Sequence, residues 1–104
     1  MPPVILLLAL LAAAPALAQP ATAPGTPYGE ARESLLRDGW SPLVLPDADR
    51  CGPRDSRCQG RPEMVACAGT GLGHCLFVWR KGATSIEVIT AGDPAIVTDT
   101  RARP

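Results

Sequence analysis

The sequence predicts a small α+β domain: one N-terminal helix packed on an antiparallel β-meander of three to five strands, stapled by disulfides. Three observations predict it. A nearly unbroken aliphatic run, Val4 to Ala14, followed by Ala16-Leu17-Ala18, has the form of a cleavable export signal. Four cysteines, Cys51, Cys58, Cys67 and Cys75, would then meet an oxidising compartment and pair. Apolar residues recur first at helical spacing and then in alternation.

Cleavage after Ala18 would leave 86 of the 104 residues, enough for one domain. A chain of that size buries only about 60% of its unfolded surface. Only 33 of those 86 residues are apolar, so the core is thin and bridges suit it. Each local loop closure adds roughly 2–3 kcal/mol. The expected organisation is a signal peptide at 1–18, a disordered Pro/Ala/Thr tether at 19–25, one domain at 26–99 and a flexible tail at 100–104. The leader is too short to span a bilayer, so no transmembrane span is expected after cleavage. Ten basic and ten acidic residues give a formal net charge of zero. That balance favours neither nucleic acid nor an anionic membrane as partner.

Thr26 can cap a helix whose first turn holds Pro27. Tyr28, Ala31, Leu35 and Leu36 form its apolar stripe, and Gly39 suits a left-handed C-terminal cap. Leu43-Val44-Leu45 reads as a short strand ended by Pro46. Residues 46–62 form a polar loop with few core-forming side chains, stapled by Cys51 and Cys58. Strands follow at Glu63 to Cys67, Cys75 to Lys81 and Thr84 to Thr90, with an edge strand at Ala95 to Thr98.

Gly82-Ala83 suits a two-residue type II′ turn. That turn puts Trp79 opposite Ile86, Phe77 opposite Val88 and Cys75 opposite Thr90, so the apolar side chains share one face. Pairing Cys67 with Cys75 then sets Val65 opposite Phe77. The other face holds Arg80, Ser85 and Glu87 but also Leu76, Val78 and Ile89, which leaves a sheet-face homodimer open.

The favoured bridges are Cys51–Cys58 and Cys67–Cys75. The cysteine intervals of six, eight and seven residues do not match zinc-ligand spacing. Asp47, Asp49 and Asp55 follow no calcium-loop pattern, and no metal or other cofactor is expected. Gly69 to Gly73 lacks the Lys-Ser/Thr of a phosphate loop. His74 is the sole histidine and no motif supplies it with a nucleophile. Glu63 reads as a partly buried, hydrogen-bonded structural carboxylate. No catalytic set emerges, so the chain is expected not to be an enzyme. The candidate recognition surface is the polar loop with the glycine turn: Arg50, Arg54, Asp55, Arg57, Thr70, Leu72 and His74.

From Tyr28 onward the chain resembles small exported proteins of Gram-negative bacteria without an assigned function. The shared pattern is Tyr28…Ala31-Arg32…Leu35-Leu36…Gly39-Trp40-x-Pro42, then Pro62-Glu63…Cys67-Ala68-Gly69-Thr70-Gly71…Cys75-x-Phe77-x-Trp79. The resemblance implies a periplasmic or secreted protein and brings no catalytic residues. Thr70-Gly71-Leu72-Gly73-His74 and Trp79-Arg80-Lys81-Gly82 also resemble the Ser-Gly-x-x-Tyr and Trp-x-Lys-Gly loops of periplasmic inhibitors of C-type lysozyme, with Ser and Tyr both replaced. The expected role is a non-catalytic exported binding module with a protein or envelope partner. The alternative is an inhibitor of a cell-wall hydrolase.

Overall fold

In a computed structural model, residues 22–104 are described. The expected signal peptide, and the tether as far as residue 21, lie outside them. The described chain folds as one helix and a five-stranded antiparallel sheet, held by two disulfides. The helix α1 spans Tyr28–Arg37. The strands are β1 (Ser41–Pro42), β2 (Met64–Cys67), β3 (Cys75–Lys81), β4 (Thr84–Ala91) and β5 (Ile96–Ala102).

The helix starts one residue later than Thr26 would have set it, with Pro27 at the N-cap and no side-chain cap. Pro27 has no N–H to leave unpaired and holds an extended ψ of 135° there. Its C-terminus is a full Schellman closure. Gly39 takes φ +90°, the Trp40 N–H reaches the Leu35 carbonyl, and the Gly39 N–H reaches that of Leu36. A β-carbon at Gly39 would be strained by that φ. The reversal folds Trp40 back against the core cluster.

The β3–β4 hairpin has the expected register, with Lys81 opposite Thr84, Trp79 opposite Ile86, Phe77 opposite Val88 and Cys75 opposite Thr90. β5 pairs with the far edge of β4. The near edge of β3 is shared. β2 covers residues 75–77 and β1 pairs with Trp79 and Arg80. Between them the Val78 N–H donates to the Glu63 carbonyl, and the Leu43 N–H donates to the Val78 carbonyl.

Several expectations are corrected. The strand expected at 43–45 is displaced to Ser41–Pro42, because β2 already takes most of the β3 edge. Val65 does not face Phe77; a bulge between Met64 and Ala66 puts Met64 there. Met64 is buried, while the Val65 carbonyl accepts from the Asp49 N–H at 2.8 Å. The last strand runs on to Ala102, taking in the first three residues of the expected tail. The tether is not free as far as residue 25. Thr22 and Ala23 are buried, and the Gly25 N–H and Thr26 carbonyl bond the Val97 backbone. This contact shields an otherwise open sheet edge.

The core lies between α1 and one sheet face, around Tyr28, Ala31, Leu35, Phe77, Trp79, Val88 and Val97. Tyr28 stacks on Phe77 at 3.9 Å with 18° between the rings. On the other sheet face Val78 is fully buried, whereas Leu76 and Ile89 are half-buried.

Glu63 is fully rather than partly buried. Its carboxylate accepts from the Tyr28 hydroxyl at 2.7 Å and from Arg32 Nε at 2.8 Å and Nη2 at 3.2 Å. Trp79 Nε1 donates to the Tyr28 oxygen at 3.0 Å. The Arg61 guanidinium stands 4.9 Å from the centre of the Tyr28 ring. Burial, and then the Glu63 charge, push the Tyr28 hydroxyl far above the usual tyrosine range, so it remains a proton donor. A carboxylate can be buried this deeply only when paired and hydrogen-bonded.

Candidate functional site

Both expected bridges are present, Cys51–Cys58 and Cys67–Cys75. Each closes its own segment, the first the polar loop and the second the glycine turn. Between these segments and the β4–β5 turn lies an open groove of about 620 Å³. Arg54, Asp55, Arg57, Thr70 and Leu72 line it, five of the seven expected recognition residues. Arg50 is exposed but not among the lining residues. His74 lines a separate hollow with Leu76, Ile89 and Arg101. Sequence reasoning missed the far wall, Gly92 and Asp93. In the sequence this turn shows only as Gly92-Asp93-Pro94, residue types that end a strand.

Arg57 is a latch. Its Nε and Nη2 donate to the two Asp55 oxygens at 2.8 and 2.7 Å. Its Nη1 donates to the Ala68 carbonyl at 2.8 Å and the Gly73 carbonyl at 3.1 Å. One planar fork thus ties the polar loop to both ends of the glycine turn. Gly73 is required twice over. Its φ is +64°, and a β-carbon there would lie 3.3 Å from Arg57 Nη1. Asp93 is held in turn, accepting from Ser56 Oγ at 2.8 Å. Leu72 is 71% exposed, and its carbonyl takes the Gly92 N–H. Arg54 is also exposed. The groove therefore has a fixed floor and a rim carrying one apolar and one cationic side chain.

The Arg57 hydrogen bonds hold the Asp55 carboxyl below its ordinary value of 3.8, and Asp55 raises Arg57 in return. A depressed carboxyl stabilises the fold above its unfolded pKa, and that support is lost as pH falls through the folded value. Asp55→Asn is therefore expected to lower the melting temperature at neutral pH. The gap to wild type should close in acid below the ordinary carboxyl value. Thermal scans across pH check this. The side chains are only partly shielded, so the effect should be no more than about 1 kcal/mol.

A carboxylate oxygen of Asp55 and the sulfurs of Cys58 and Cys67 lie within 4.8 Å of one another. Both sulfurs are bridged and Asp55 is held by Arg57, so the three offer no free ligand set. The two segments resembling lysozyme-inhibitor loops sit at opposite ends of β3, about 20 Å apart by strand rise. Trp79 in the second is fully buried. No protein-family model, curated protein or solved structure matches the chain. Among the described residues, no helix is long and apolar enough to cross a membrane.

Proposed function

We propose that the protein is a non-catalytic exported binding module, periplasmic or secreted, that recognises a protein or envelope partner through this groove. The observation that carries the reading is the latch. Two loops poor in core-forming residues are locked by Arg57 and two disulfides, while Leu72 and Arg54 stand free at the rim. Loops fixed on a scaffold present contact groups with little ordering cost.

The groups with catalytic potential are paired, bridged or outside the groove. Glu63 is paired in the core, the cysteines are bridged, and His74 lies outside the groove. The signal-like leader and the two disulfides suit an oxidising compartment. The likeness to exported Gram-negative proteins supports the periplasm. Many residues of that likeness, Tyr28, Arg32, Gly39, Glu63, Phe77 and Trp79 among them, have structural tasks here, so we read it as describing the scaffold.

A photo-crosslinking residue at Leu72 tests the reading in exporting cells. Val44, 62% exposed and outside the groove, is the control position. A discrete adduct is expected from position 72 alone, lost in Arg54→Glu with the melting temperature unchanged. Equal adducts from both positions, or none from Leu72, would contradict the groove. Stoichiometric inhibition of C-type lysozyme that survives Arg54→Glu would favour the hydrolase-inhibitor role instead.

A further inference from the structure

The two bridges meet. Cys58 Sγ and Cys67 Sγ belong to different disulfides yet lie within 4.8 Å of one another. The latch accounts for the approach, because Arg57 precedes Cys58 and bonds the carbonyl of Ala68, which follows Cys67. The first bridge borders a shallow hollow with Asp49, Arg61 and Pro62. Cys51 is partly exposed there and accepts from Gln59 Nε2 at 3.5 Å, whereas Cys58 is buried.

The far end of the second bridge is Cys75, also buried. Thr90 stands directly opposite Cys75 in the β3–β4 ladder. Its hydroxyl is buried and has no hydrogen-bond partner among the described residues. A buried hydroxyl without a partner costs free energy and calls for a reason.

We propose that the two disulfides form a thiol–disulfide exchange relay, entered at Cys51 by an external thiol and ending at Cys75. The thiolate attacks Cys51 Sγ, a mixed disulfide forms, and the Cys51–Cys58 bond breaks with its electron pair on Cys58. The Cys58 thiolate then attacks Cys67 Sγ. Cys58–Cys67 forms, Cys67–Cys75 breaks, and the charge leaves on Cys75. There the Thr90 hydroxyl gains the acceptor it lacks in the resting state. Each step exchanges one S–S bond for another, so the incoming thiol is the only co-reactant. The relay does not rest on the groove as a binding surface.

Cys51→Ser leaves Cys58 as a thiol beside the intact second bridge. After acid quenching, maleimide labelling and peptide mapping, the relay predicts a Cys58–Cys67 link with label on Cys75. The labelled fraction should rise with pH, because thiolate is the attacking species. Thr90→Val in the same background should lower it several-fold, which lost packing alone would not do. Label confined to Cys58, with Cys67–Cys75 intact, would overturn the proposal. The unmodified protein treated with glutathione gives a second reading that does not depend on the variant folding. Glutathione on Cys51 together with a free Cys75 supports the relay; glutathione on Cys51 with Cys58 as the free thiol contradicts it.

Discussion

Glu63→Ala is expected to destabilise the domain by about 3–5 kcal/mol, because it breaks a buried pair and strands its partners. The carboxylate receives three hydrogen bonds, one from Tyr28 and two from Arg32. Its removal leaves a buried hydroxyl and part of a guanidinium without an acceptor, and opens space next to Tyr28. Small domains hold only about 5–15 kcal/mol in all, so the loss is a large fraction of the total. Glu63→Gln should cost less, since it keeps the shape and one acceptor oxygen. Urea unfolding followed by tryptophan fluorescence reads both variants. A double-mutant cycle with Arg32→Met separates the pair from the cavity, with a coupling of about 1–3 kcal/mol expected. A Glu63→Ala loss below about 1 kcal/mol would mean that the network does not hold the helix to the sheet.

Phe77→Ala should have a comparable effect for a different reason. Phe77 is fully buried in the middle of β3, the strand to which β1, β2 and β4 all pair. Truncating a buried phenylalanine costs about 3–5 kcal/mol, from lost transfer energy and the cavity left behind. The substitution also removes the surface on which the Tyr28 ring rests. Its cost should therefore not add simply to that of Tyr28→Phe, because both act on the same ring. Unfolding curves of the two single variants and the double variant check this, with additivity within experimental error as the contrary result.

Much of the sheet was legible because its information is local. Gly82-Ala83 set the hairpin register, and that register carried Cys75, Phe77 and Trp79 to one face. The second bridge was legible from the closeness of Cys67 and Cys75 in the chain, and it lies across the separate β2–β3 pairing, where the two stand opposite each other. The helix end was legible through Gly39, whose left-handed conformation closes the Schellman turn.

The misreadings have physical causes. One extra residue at the Met64/Ala66 bulge exchanged Met64 for Val65, and a period of two carries no warning of such an insertion. Leu43 to Leu45 have strand-like side chains, but the β3 edge offered room only for Ser41–Pro42. The partners of Glu63 lie 35 and 31 residues away, so its full burial had no local sign. In the sequence Arg57 was legible only as one of the recognition residues expected in the polar loop. Its role became visible only when the chain returned Ala68 and Gly73 to its guanidinium. Gly92 and Asp93 reached the groove by way of the β4–β5 turn, a step that depends on the whole sheet.

Everything proposed for this chain depends on its reaching an oxidising compartment with both bridges closed. The most direct test is the intact mass of the protein purified after export, with alkylation before and after reduction. The account predicts a chain beginning at Gln19, four hydrogens lighter than its reduced form. It should be inert to alkylation until reduced and then take up four alkyl groups. A retained leader, or thiols that alkylate without reduction, would contradict it.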